Sequence, residues 1–210
     1  MKPTPRALLH YMTASLLIIF IRNPLLGKVK TRLAASLGNQ RALEIYLKLL
    51  EHTASITRTL PVDKVVFYSD FVASNDIWDE TTYQKQVQGP GDLGQKIRSA
   101  FDWGFKSGYR HICIIGSDCM ELTAAIIMEA FNELMTYDAV MGPARDGGYY
   151  LLGLNQIHES IFEGKSWGTD SVATATLADF KLLGLSYGLL KPLNDVDDEQ
   201  DLADLDFPTI

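Results

Sequence analysis

Short apolar runs alternate along the chain with stretches in which apolar residues return every three or four positions. Leu16–Ile21, Lys64–Tyr68, His111–Gly116, Asp138–Met141 and Tyr149–Leu154 are bounded by Gly, Pro, Asp or Ser, which predicts five strands. Between them, Leu43, Leu47 and Leu50 form a stripe over 39–51, and Leu93, Ile97, Phe101 and Phe105 another over 93–106. Asp92 and Gln95 stand as a capping pair at the start of the second. Further helices are predicted over 123–135 and, with a weaker stripe, over 170–183. Strands that alternate with helices of this length predict βαβ units and a mainly parallel sheet with helices on both faces. The fold class is therefore α/β, in one domain over 16–210 after an irregular leader at 1–15, within which Met12 is a second candidate start.

Composition narrows the partners. The 210 residues carry 19 Lys plus Arg against 26 Asp plus Glu, a formal charge of −7. Such a chain is a poor binder of nucleic acid or anionic membranes. The run Leu16–Ile21 is far short of the ~20 residues of a membrane span, and Arg22-Asn23-Pro24 follows it in place of a cleavage site. Two cysteines, Cys113 and Cys119, make no disulfide framework, and a reducing, cytoplasmic location is expected. The four histidines have neither metal-ligand nor triad spacing.

Candidate chemistry gathers just after the strands, where α/β sheets bind ligands. Following the first strand, Arg22, Lys28, Lys30 and Arg32 place four cations within eleven residues around Gly27, in an otherwise acidic chain. A Gly turn running into a helix start, with Lys and Arg beside it, has the chemistry to grip a diphosphate; a solvated basic loop is the alternative. Asp118 follows the strand at 111–116 and is placed either to hold a divalent cation or to cap a helix beginning near Leu122. Gly147-Gly148 between two strands is either a hairpin turn or a close approach to ligand beside Asp146. Residues 195–202 hold five carboxylates, including Asp195 and Asp197, the pattern of a solvated loop with an acidic helical start. Asp201 falls in that helical part and is expected to be inert. Trp167–Ser171 reads as the segment that caps the helix after it.

In series, the Gly27–Leu33 turn, Gln88–Gly94, the Gly-Ser-Asp-Cys strand end, Gly142–Tyr150 and the terminal Asp-Val-Asp run resemble one bacterial family over about residues 15–206. It is the DUF2064 or arsenosugar-biosynthesis-type glycosyltransferase family of GT-A nucleotide-diphospho-sugar transferases. The guanylyltransferases of cofactor F420 and molybdenum cofactor synthesis are related to it. The resemblance implies a Rossmann-like GT-A fold that uses Mg²⁺ or Mn²⁺ to bind a nucleotide-sugar or nucleoside triphosphate donor and a small-molecule acceptor. It puts Arg22, Gly27, Lys30 and Arg32 at the phosphates, and Gln88, Gly89, Asp92 and Gly94 near base and ribose. Asp118 and Asp197, with Asp195 beside them, take the metal positions; Asp146 is the candidate catalytic base, with Gly147, Gly148 and Tyr149 on the acceptor side. Met120 stands where the family has Pro, and Asp198-Glu199 where it has Thr-Pro. Glycosyl transfer is the first expectation, nucleotidyl transfer the second and nucleotide binding without catalysis the third. A homo-oligomeric state stays open.

Overall fold

The computed structural model describes residues 14–202. Residues 1–13 of the expected leader, Met12 included, lie outside that range. Seven strands form one sheet: β1 (Ser15–Ile21), β2 (Asp63–Tyr68), β3 (Gln84–Val87), β4 (His111–Ile115), β5 (Ala139–Pro143), β6 (Tyr149–Leu154) and β7 (Tyr187–Leu189). Their order is β3-β2-β1-β4-β6-β5-β7, and every pairing is parallel except those of β6 with β4 and β5. Five α-helices complete the fold among the described residues: α1 (Thr31–Leu37), α2 (Asn39–Thr57), α3 (Leu93–Lys106), α4 (Ala124–Glu133) and α5 (Val172–Leu182).

The central strands read as unbroken apolar runs because both faces of the sheet are covered. Successive side chains of β1 point to opposite sides. Leu17, Ile19 and Ile21 join a core with Leu33 of α1, Tyr46 and Leu49 of α2, and Phe131 of α4. Leu16 and Ile18 join a second core with Ile97 and Phe101 of α3 and Phe180 of α5. The mainly parallel α/β architecture expected from the sequence is the observed one.

Three details differ from expectation. The buried stripe of α2 runs through Ala42, Ile45, Tyr46, Leu49 and Thr53, whereas Leu47 is 40% exposed. The helix also continues past 51 to Thr57, because the Thr53 and Thr57 hydroxyls donate to the Leu49 and Thr53 carbonyls and so satisfy themselves inside the core. Strands β3 and β7 are additional; β3 reads Gln-Lys-Gln-Val on the sheet edge, half exposed, and has no apolar run to announce it.

Candidate functional site

The sheet order brings the ends of β1 and β4 side by side, and the loops that follow them meet there. The β1 loop is pinned at both ends. Asn23, buried, receives the Asp70 backbone N–H on its side-chain oxygen and donates to the Phe71 carbonyl, which ties it to the loop after β2. Val29 and Leu33, also buried, bracket Lys30 and anchor it to the core. Lys30 itself is left-handed (φ 45°, ψ 51°) at the start of α1, an uncommon conformation for a residue with a side chain.

That geometry aims the Lys30 ammonium at two carboxylates from distant parts of the chain. Nζ lies 2.8 Å from Asp118 Oδ2 and 3.1 Å from Asp197 Oδ1, with the lysine side chain only 5% exposed. Burial works against its charge, but the two carboxylates outweigh burial and hold the amine above the ordinary lysine value. Arg32 reaches Asp197 from the solvent side at 3.6 Å. The Asp118 backbone carbonyl accepts from the N–H of Val196, so the loop after β4 and the C-terminal loop are joined directly. Asp118 is not a helix cap: α4 begins at Ala124, and Thr123 caps it by accepting from Ile126 N.

Two residues to which the sequence gives no site role hold these loops. The Tyr46 hydroxyl accepts the Arg22 N–H at 2.8 Å and lies 3.3 Å from the Ser117 hydroxyl, bridging the ends of β1 and β4. Asp201 accepts the N–H groups of Asp197 (2.8 Å) and Asp198 (2.9 Å) on one oxygen and the Asn194 amide on the other. Far from being inert, it shapes the loop that presents Asp197. Tyr46 sits among apolar residues and reads as core, and Asp201 as one more acid in an acidic run.

Beside this cluster lies a cavity of about 220 Å³ walled by Phe20, Ile97, Tyr149 and Trp167, with Asp146 and Asp195 at its polar side. Tyr149 and Trp167 meet edge-to-face with centroids 6.5 Å apart. The Tyr149 hydroxyl is buried with no hydrogen-bond partner. Burial, reinforced by the charges of Asp118 and Asp146, pushes the Asp195 carboxyl up to about 7. Asp146 accepts from Gly148 N at 2.9 Å. Trp167 forms a cavity wall; Ser171, not this segment's tryptophan, stands at the start of α5, and its side chain makes no capping bond.

The remaining candidates have structural partners. Gly147 and Gly148 form the hairpin turn between β5 and β6; a Cβ on Gly147 (φ 90°) would lie 2.0 Å from the Asp170 carbonyl oxygen. The Gln88 amide donates to the carbonyls of Ile21 and Phe67, cross-linking β1 and β2. Asp92 and Gln95 form the expected capping box. Gly94 packs under Trp167, where a Cβ would fall 2.3 Å from the indole nitrogen. Gly89 faces Ser99 of α3, and the left-handed Gly27 faces Asn39. Arg22 is exposed at the end of β1.

Asp118 and Asp197 offer hard carboxylate oxygens, both 41% exposed, around a position that already attracts positive charge. This chemistry fits Mg²⁺ or Mn²⁺, which take one or two protein carboxylates and fill the remaining positions with water and phosphate oxygens. Among the described residues no three His, Cys, Asp or Glu converge as a cage made by protein alone.

The fold and this cluster of loops define an α/β protein of the nucleotidyl- and nucleotide-sugar-transferase architecture. A family profile described as "uncharacterized protein conserved in bacteria (DUF2064)" matches residues 52–169, and the chain belongs to that family. A crystal structure from Desulfovibrio desulfuricans G20, provisionally described as a nucleotide-diphospho-sugar transferase, is similar at 30% identity and TM-score 0.85, covering 91% of this chain and 85% of that one. More distant likenesses show the fold alone. The inositol-1-phosphate CTP transferase from T. maritima matches at 10% identity and TM-score 0.54, over 92% and 93% of the two chains. The 4-diphosphocytidyl-2C-methyl-D-erythritol synthase from Anaerococcus prevotii DSM 20548 matches at 9% and 0.53, over 93% and 95%. No protein of curated function matches in sequence. No helix among the described residues is long and apolar enough to cross a membrane.

Proposed function

We propose that the protein is a metal-dependent glycosyltransferase that moves a sugar from a nucleotide-diphosphate donor to a small acceptor. The observation that carries this reading is the meeting of Lys30, Asp118 and Asp197 at the ends of β1 and β4, beside a walled cavity. The likeness to the D. desulfuricans protein supports the nucleotide-sugar donor. Asp118 and Asp197 would hold Mg²⁺ or Mn²⁺, which would supply neutralisation of the charge on the leaving diphosphate. Lys30, released from the acid pair, and Arg32 meet the phosphate oxygens. Asp146 accepts the proton of the attacking group; its second oxygen takes no hydrogen bond from the described residues, the first being engaged with Gly148 N.

Calorimetric titration with UDP, GDP and CDP, each with Mn²⁺ and with EDTA, tests the reading. Wild type binds one of them more tightly with Mn²⁺. Asp118→Asn abolishes that metal dependence, and Arg32→Ala weakens binding by roughly 1.5–3 kcal/mol, the range for charged hydrogen bonds. Absence of nucleotide-diphosphate binding by wild type under both conditions overturns the reading. Turnover of a nucleoside triphosphate, with release of pyrophosphate and none from any nucleotide sugar, replaces it with nucleotidyl transfer, the chemistry of the two cytidylyl-transferring fold relatives.

A further inference from the structure

The cavity beside the acid cluster is a slot on the α3 and α5 side of the sheet. Phe20, near the end of β1, packs with the core on that side. Leu93 and Ile97 reach the slot from the first turns of α3, Val172 from the start of α5, and Tyr149 from the start of β6. Trp167, in the loop before α5, lies over Gly94 and meets Tyr149 edge-to-face. Asp146 and Asp195 lie at the polar side, toward Asp118 and Lys30. Inside, hydrogen-bond partners are scarce: the Tyr149 hydroxyl is buried and finds none among the described residues. A sugar in this space would bring several hydroxyls to walls that leave their own unpaired, and each would forfeit its bonds to water. A flat apolar ring loses nothing by entering. Three of the walls are aromatic, and a flat ring makes the offset and edge-to-face contacts with them that a puckered ring does not.

We propose that the slot holds the uncharged aromatic ring of the acceptor, and that the acceptor is an aryl alcohol rather than a second sugar. Size agrees with one ring. An apolar cavity of roughly 150 Å³ takes benzene, and the slot, at about 220 Å³, adds room for a short substituent. With the ring inside, its hydroxyl stands at the polar side beside Asp146. A bond forms from that oxygen to the anomeric carbon of the donor, and the bond from that carbon to the diphosphate breaks. The electron pair leaves on the diphosphate, and the hydroxyl proton passes to Asp146. The acceptor role rests on the transferase reading above; the preference for a flat apolar ring rests on the slot alone.

Three neutral alcohols test it on the full chain by ligand-observed NMR: benzyl alcohol, cyclohexylmethanol and methyl glucoside. Benzyl alcohol is expected to bind about 10-fold more tightly than methyl glucoside and about 3-fold more tightly than cyclohexylmethanol. Val172→Phe, which fills the slot, and Trp167→Ala, which removes a wall, each weaken benzyl alcohol by about 10-fold. Melting temperatures are measured alongside, and Val172→Phe is read if Trp167→Ala fails to fold. Either comparison alcohol that equals benzyl alcohol overturns the proposal, as does wild type that binds none of the three. So does a Val172→Phe protein that keeps wild-type affinity. Nucleotide-diphosphate titration of the same wild-type preparation separates the two ideas. If nucleotide binds and the aromatic preference is absent, this proposal alone falls. If the preference holds but no nucleotide binds, the acceptor role falls along with the transferase reading.

Discussion

Single residues at this site are held under opposing demands. Asp195 is crowded by the like charges of Asp118 and Asp146 in a poorly hydrated position, so its ionisation opposes folding. Asp195→Asn is expected to raise the melting temperature of the metal-free protein at pH 8 by at least about 2 °C, the shift that ~1 kcal/mol produces in a chain of this size. Differential scanning calorimetry in EDTA checks this, and an unchanged or lower melting temperature contradicts the crowding. Gly94 shows the reverse case. Alanine favours a helix by about 1 kcal/mol over glycine, yet a Cβ here would lie 2.3 Å from the Trp167 indole nitrogen. The ring has to leave, so Gly94→Ala shifts tryptophan emission to longer wavelength and lowers affinity for any ligand of the cavity.

At the level of elements, what was legible followed burial. The apolar runs of β1, β2, β4 and β6 and the stripe of α3 stand out because two cores demand them. Strand β3 did not, since an edge strand of Gln, Lys and Gln answers to backbone pairing and not to packing. The α2 stripe is rotated from the one its leucines suggest: Leu47 faces outward, while the helix buries Ala42, Tyr46 and Thr53, whose fit depends on neighbours far along the chain. The candidate residues Asp118 and Asp197 stand out by motif order, not by local pattern, and the link between them is invisible locally because it runs through Lys30 and the Val196 amide. The supporting role of Asp201 was hidden for the same reason. Asp201→Ala removes the acceptor for the Asp197 and Asp198 amides. Hydrogen exchange is expected to quicken at those two positions with α4 unaffected, and stability to fall by about 0.5–1.5 kcal/mol, the net worth of a hydrogen bond whose acceptor water can replace. Unaltered exchange at both amides contradicts a shaping role.

For the molecule as a whole, acid sensitivity near neutral pH has a source at the opposite end of the sheet. His111 opens β4 and donates from Nδ1 to the Asn155 side-chain oxygen, whose amide nitrogen is committed to the Leu134 and Tyr137 carbonyls. Burial lowers its affinity for a second proton below the ordinary value of 6.5. The unfolded chain therefore protonates first, and stability present above that value is lost as pH falls through it. Between pH 7 and 5.5, His111→Gln is expected to lose less stability than wild type in urea titrations; equal losses contradict the assignment.

Lys30 has a further consequence at this largest scale. By sitting between Asp118 and Asp197 it gives the chain a counter-ion of its own, so the two acids do not repel each other when no divalent ion is present. Chelation unfolds proteins whose folding free energy comes from the metal; here it should not. The melting temperature in EDTA is expected to match that in Mn²⁺ without nucleotide, because Lys30 already occupies the acid pair and keeps the ion from binding. Nucleotide and Mn²⁺ together should raise it, since the displaced ammonium then finds phosphate. Lys30→Met, which leaves the acid pair bare, is expected to reverse the pattern, with Mn²⁺ alone becoming stabilising in a thermal melt.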